Sequence, residues 1–373
     1  MQFGCSTGNI VRRRARHLKG SDPHERDTNS TSRCSRISYK MEARMQLQSD
    51  WYTALRENEG EVWVSCKIPG KPTVYGSLKC QGVSHDRVPE IIASEEFEVL
   101  EVSKKGIHLS CPSGRTSSKF IIPHTSYSRI HDKSITCLDI SCGGGLGVST
   151  STDGSMKIWN CQNGDRRREL TGHVYDVNCC RFFPRVTERV SLIFPSWTVG
   201  EMWCLVHGMA LPDCGIVGNR PVWRWWRIVV LLSMVAVWAR LTTASIWEHL
   251  KSAQVFEFLG SDAFNCCAFL SSVYIVAGAQ DGNIYQLDVR CLSTPVQVFH
   301  KSGAPVHSIL PIREGFIASQ GDGGCFLIQQ DLDHTIELTG PDTEPIYKVA
   351  SWEKFIFTCC RDGLVRKYQL SNL

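Results

Sequence analysis

From Trp51 onward the chain alternates apolar and polar residues in short runs. The segments "EGEVWVSCKIPGKPTVYGSLKC" and "FEVLEVSKKGIHLSC" keep a period of two, and Pro69-Gly70-Lys71-Pro72 punctuates the first. That alternation predicts half-buried antiparallel strands separated by turns. Just ahead of them, "SDWYTALREN" predicts a short helix with Ser49 or Asp50 as N-cap. Residues 45–127 are therefore expected to be a β-rich segment.

At about Ser128 a repeat takes over. Four segments end in the same turn: "GVSTSTDGSMKIW", "IVAGAQDGNIYQL", "FIASQGDGGCFLI" and "FTCCRDGLVRKY". Their turns are Asp153-Gly154, Asp281-Gly282, Asp322-Gly323 and Asp362-Gly363, the last three spaced by 41 and 40 residues. Five residues before the aspartates stand Val148, Val276, Ile317 and Phe357; three after stand Met156, Ile284, Cys325 and Val365; six after stand Trp159, Leu287, Ile328 and Tyr368. Each unit reads as strand, tight turn, strand. Positions three and six after the aspartate fall on opposite faces of the second strand. A small sheet that is apolar on both faces and recurs about every 40 residues describes a propeller blade.

The first unit is the fullest. It holds His131, Ser149, Ser151, Asp153 and Trp159, followed by Asn160; Gly172-His173 then opens the next unit, 42 residues after His131. It resembles the WD-repeat family. The resemblance implies an all-β propeller, seven-bladed in the family, occupying residues 128–373 behind the β-rich segment. It also implies a buried polar set: His131 paired with Asp153, a hydroxyl from Ser149 or Ser151, and the indole of Trp159. A buried aspartate needs such a partner. The later units lack the Trp and the Gly-His, so their polar sets are expected to be incomplete.

Stretches outside the repeat, including "QSDWYTALRENEGEVWVSCKIPGKPTVYGSL" and "GSDAFNCCAFL", are similar to a family of WD-repeat proteins associated with the proteasome. That resemblance implies binding to ATPase subunits of the proteasome regulatory particle, and control of how the particle assembles or docks onto the core. The expected protein is a monomeric, non-enzymatic binder in cytosol or nucleus, with no cofactor, metal, nucleic-acid or membrane partner. Its partner-contacting residues are not readable from the blade loops. A second partner class is a cullin-type ubiquitin ligase. "YQLDVR" places Asp288 and Arg290 as in the Trp-Asp-x-Arg docking motif, with Leu287 where that motif has Trp; an outer blade strand with an ordinary exposed ion pair is the reading favoured over it.

Charge and cysteine content change the picture little. The net charge of +4 is unevenly placed: residues 1–44 hold ten Lys/Arg against four Asp/Glu. Without residues 1–44 and 185–250, 25 basic and 29 acidic residues remain, which argues against a phosphate-tracking surface. Residues 1–44 lack apolar periodicity and are expected to be a disordered or non-native extension. The 18 cysteines include no Cys-x-x-Cys; the vicinal pairs Cys179-Cys180, Cys266-Cys267 and Cys359-Cys360 sit in strand-like runs, where neighbours point to opposite faces. They are expected to pack as thiols. "SCGGGLG" has no following helix and reads as a hairpin loop. Cys204, His207 and Asp213 lie close in sequence without a supporting pattern.

One segment breaks the repeat. Asp153 and Asp281 are 128 residues apart, room for two further blades, yet no Asp-Gly turn lies between them. Seven of the eleven tryptophans fall between Trp197 and Trp247, and no Asp or Glu occurs from Cys214 to Trp247. The apolar run Ile228 to Ala239 has 12 residues, short of the roughly 20 a membrane helix needs. Tryptophan has the one codon TGG, and GAT GGN read one base late gives Met followed by Ala, Val or Gly. Residues 185–254 are therefore expected to come from a frameshift or mis-spliced exon that disrupts the central blades.

Overall fold

The computed structural model describes residues 38–41, 43–56, 60–83, 88–128, 130–172, 176–182, 190–196, 202–208, 235–240, 243–248, 253–291, 294–329 and 332–370. Each Asp-Gly turn of the repeat joins two antiparallel strands. Gly154, Gly282, Gly323 and Gly363 hold φ between 76° and 83°, a left-handed conformation that a side chain would strain. Together with an inner strand before each hairpin and an outer strand, they make four blades. Blade I pairs Ile135–Ile140, Leu146–Ser151, Met156–Asn160 and Arg166–Leu170. Blade II pairs Phe264–Phe269, Tyr274–Ala279, Asn283–Asp288 and Gln297–His300; blade III pairs Val306–Ile312, Gly315–Gln320, Cys325–Gln329 and Thr335–Leu338. Blade IV has Ile346–Trp352, Phe355–Cys360 and Val365–Gln369, and its fourth place is filled by Thr125–Tyr127, from just ahead of blade I.

That borrowed strand joins the two ends of the repeat. Tyr127 and Trp159 pack with Ile135, Phe357 and Val365 in one buried cluster spanning blades IV and I. Phe299 meets Phe316 between blades II and III, with ring centroids 5.4 Å apart. Ile317 and Leu327 of blade III meet Ile346 and Tyr368 of blade IV. The two-faced burial expected from the repeat is present: all twelve marker positions are buried except Ile328, which is half-buried. Each such side chain contributes about 1.5–3 kcal/mol of hydrophobic stabilisation, so blades hold one another by the same faces that define them.

Between blades I and II the described strands form smaller sheets. Val190–Ser196 pairs with Met202–Gly208, and Val235–Arg240, Thr243–Glu248 and Ala253–Leu259 make a three-stranded sheet. Asp213, like most of the Trp-rich stretch around it, lies outside the described residues.

The N-terminal segment forms its own layer. Arg44–Leu47, Glu61–Lys67, Val74–Val83 and Pro89–Ala93 are one sheet; Glu98–Val102, Gly106–Cys111 and Thr116–Ile121 extend blade III outward, the last parallel to Thr335–Leu338. Trp51, Val64, Leu78, Ile107 and Leu109 pack in a common core between them. The predicted helix is Trp51–Ala54, with Asp50 as N-cap residue. Trp51 is fully buried and donates its indole N–H to Thr339 Oγ1 at 3.3 Å, tying the layer to the end of blade III. Regular structure begins earlier than the expected boundary: Ser38–Met41 runs parallel to Gln297–His300, and Arg44 opens the first sheet. Residues 1–37 lie outside the described residues.

Candidate partner-binding mouth and its polar supports

Blade I carries the expected polar set, with one change of partner. His131 Nε2 lies 2.8 Å from Ser149 Oγ, and Trp159 Nε1 donates to the same oxygen at 3.1 Å. Of the two candidate hydroxyls, Ser149 is the one used. Ser151 is buried and its Oγ accepts from the Asp153 amide. His131 Nδ1 meets Ser155 Oγ at 3.3 Å rather than Asp153. Asp153 instead accepts the Ser155 backbone N–H at 2.8 Å. Ser155 thus stands between the imidazole and the carboxylate, because Asp153 stays close to its own turn and to solvent. Burial, helped by the Lys157 charge, pushes the His131 pKa down to about 4, against the opposing pull of Asp153. His173 lies outside the described residues.

In the later blades, which lack the Trp, the turn aspartates are held by other donors. Asp281 accepts from Ser261 Oγ and, at 2.7 Å, from Asn283 Nδ2. Asp362 accepts from Arg366 at 2.5 Å. Asp322 is bound by Arg44, from the N-terminal layer. Each blade has rebuilt the support with a different donor, since the turn carboxylate needs a hydrogen bond and not a particular residue.

Separate from these supports, a cavity of about 610 Å³ lies where the inner strands begin. Each inner strand breaks register at its second residue: Thr136, Asn265, His307 and Tyr347 are the extra residues of four equivalent bulges. A bulge re-aims the side chain it frees, and all four line the cavity, joined by Asp176, Asn178 and Arg361. The His307 and Tyr347 rings lie 5.3 Å apart, and burial lowers the His307 pKa. Amides, hydroxyls, an imidazole, a carboxylate and a guanidinium give it donors and acceptors and charges of both signs. Sequence reading missed these residues. The available signal is the polar second residue of "ITC", "FNC", "VHS" and "IYK".

The Asp288–Arg290 motif folds onto itself. Arg290 holds both Asp288 oxygens, at 2.9 and 2.6 Å, while Leu287 is buried in the blade. The Asp288 pKa falls to about 2 through the hydrogen bonds from Arg290. The vicinal cysteines line blade strands or pack beside them, and the described cysteines form no disulfide.

Blades apolar on both faces, a strand borrowed for the last of them, and a His–Ser–Trp set beside an Asp-Gly turn define a WD-repeat β-propeller. The family model for the WD domain, G-beta repeat, matches residues 124–160. Across most of its length the chain is similar to proteasomal ATPase-associated factor 1: it is 50% identical to that protein of Bos taurus over 392 residues, covering 89% of this chain and 100% of the relative. It is 50% identical to the Homo sapiens protein over 394 residues, with the same coverage. A Dictyostelium discoideum protein, probable proteasomal ATPase-associated factor 1, is 22% identical over 427 residues, 91% of this chain and 98% of the relative. The chain belongs to the proteasomal ATPase-associated factor 1 family.

Proposed function

We propose that this protein is a non-catalytic scaffold that binds ATPase subunits of the proteasome regulatory particle and regulates the particle's assembly or its docking onto the core. The names of its relatives supply the partner class. The cavity lined by the four bulged residues carries the reading onto this chain, because it offers a polypeptide both donors and acceptors on a rigid frame. The protein acts as a monomer in cytosol or nucleus, and the mouth of the cavity is its docking face.

Affinity capture from cells expressing the tagged chain tests this. Regulatory-particle ATPases are expected in the eluate, and His307→Ala with Arg361→Ala is expected to deplete them while leaving the thermal melt unchanged. Recovery of a cullin-ligase adaptor without ATPases would sink the reading. Equal ATPase recovery from the double variant would move the docking face away from the mouth.

A further inference from the structure

Residues 176–182 run beside the inner strand of blade I, Ile135–Ile140, and in step with it. Thr136 Oγ1 donates to the Val177 carbonyl, and Cys137 Sγ to that of Cys180 at 3.8 Å. The Phe182 amide donates to Asp139 Oδ2 at 2.7 Å. These contacts advance together along both segments, so the two stretches of chain run the same way. Cys137, Val177 and Cys180 are buried in one cluster with Val148 and Met156, and Cys179 packs against it.

That alignment gathers three thiols. The Cys137 sulfur accepts hydrogen bonds from the thiols of Cys179 and Cys180, and none of the three is in a disulfide. The bonds from Cys179 and Cys180 hold the Cys137 pKa well below the usual thiol range, against its burial. The positive charge of Lys348, from the inner strand of blade IV, acts in the same direction. The shared bond and burial push the Cys179 thiol up. One sulfur is thus the nucleophile and its neighbour the proton donor, and a thiolate beside a second thiol is readily oxidised to a disulfide. Cys180 is fully buried, and its Sγ donates to the Val148 carbonyl at 3.8 Å; Cys179 is half-buried. Thr136 and Asn178, the residues just before Cys137 and Cys179, both line the cavity. A molecule as small as hydrogen peroxide reaches the pair by that route.

We propose that Cys137 and Cys179 form a redox latch, which hydrogen peroxide closes into a disulfide that ties blade I to the run beside it. The Cys137 thiolate attacks one peroxide oxygen, the O–O bond breaks, and the hydroxide that leaves takes up a proton as water. Cys179 sulfur then attacks the resulting sulfenic sulfur; the S–O bond breaks, and a second water leaves with the Cys179 proton. Two thiols are oxidised and one peroxide is reduced to two waters. The bond links residues 42 positions apart, which restricts the unfolded chain. It holds blade I and residues 176–182 together whether or not a partner occupies the mouth.

The test is tryptic peptide mapping of the full, pre-reduced chain after brief treatment with hydrogen peroxide and trapping of remaining thiols with N-ethylmaleimide. A cross-link between the peptides holding Cys137 and Cys179 is expected. It should persist in Cys180→Ala and Cys142→Ser, disappear in Cys179→Ala, and reverse with a phosphine reductant. The oxidised wild-type chain should melt at a higher temperature than the reduced one. In urea the same treatment should scatter the cross-links among other cysteines, because the fold directs the pairing. Absence of the cross-link from the folded wild-type chain overturns the proposal, and that result does not depend on any variant folding. A cross-link that survives Cys179→Ala, or one equally selective in urea, overturns it as well.

Discussion

Arg44 and Asp322 stand 278 positions apart in the chain and form one ion pair. It fastens the first strand of the N-terminal layer to the Asp-Gly turn of blade III. The Arg44 side chain is 8% exposed and that of Asp322 30%. Burial opposes ionisation of Asp322, but the hydrogen bond and charge of Arg44 outweigh it and hold the carboxyl below its usual range. Nearby, Lys301 and Glu337 form a second, fully enclosed pair at 3.2 Å, and Glu337 also attracts Arg44. Arg44→Met is expected to cost about 2 kcal/mol, less than the ~3–5 of a wholly buried pair because Asp322 keeps some contact with water. Urea unfolding measures it; a cost under about 0.5 kcal/mol would place the pair with ordinary surface ion pairs.

His131 gives the fold an acid limit. Its pKa of about 4 in the folded chain lies below the roughly 6.5 expected when unfolded. Between those values the unfolded state binds the extra proton, so unfolding free energy falls as pH falls. Above about pH 6.5 the residue is neutral in both states and imposes no penalty; the loss is complete once pH passes below about 4, and is on the order of 3 kcal/mol. Melting temperature measured from pH 7 to pH 4.5 should drop steadily, and His131→Gln should flatten that slope. An unchanged slope in the variant would assign the acid sensitivity to other groups.

Which of these relationships were legible in the sequence follows from their range. The four Asp-Gly turns and the marker positions around them are local, the last three turns recur at 41 and 40 residues, and Trp159 follows the first at a fixed offset. The hydroxyl at Ser149 required coordinates, because Ser149 and Ser151 share a strand face and the indole reaches only one. Resemblance pairs Asp153 with His131, and Ser155 intervenes because a serine two residues on competes for the same carboxylate. Thr125–Tyr127 closing blade IV has three residues and no period of its own. The bulges at Thr136, Asn265, His307 and Tyr347 are one-residue slips, which alternation cannot encode. Arg44 as the partner of Asp322 is a product of the N-terminal layer docking on blade III, which no motif announces.

Gly147 should tolerate no side chain. It pairs with Trp159 across the hairpin, and a Cβ there would lie 2.3 Å from the indole. The indole in turn packs on Tyr127 at 5.6 Å and Phe357 at 6.2 Å, so it has nowhere to move. Gly147→Ala is expected to destabilise by about 1–3 kcal/mol through overpacking. Ser149→Ala should cost a similar ~1–3 kcal/mol by stranding the Trp159 N–H and an imidazole nitrogen. Because the two acts converge on one side chain, the double variant should fall short of their sum. Denaturant unfolding of the three variants checks this, and strict additivity would mean that the residues do not act through Trp159.

The central blades make a prediction about the transcript. Blades I to IV each have four strands, whereas the described sheets between Val190 and Leu259 have two and three. An unfilled place in a ring of blades exposes apolar faces and strand edges, which is a route to aggregation. The segment that should fill it is rich in Trp and free of acids from Cys214 to Trp247, the composition expected when Asp, Gly and Trp codons are read one base out. Sequencing the transcript across codons 180–255 should show a reading frame or splice junction that restores Asp-Gly turns near the 40-residue spacing. A chain built from that transcript should melt cooperatively and stay monomeric, while the chain with the present segment aggregates on heating. If no frame yields blade-like text, the segment is native sequence. The propeller would then close around it, and both chains would behave alike.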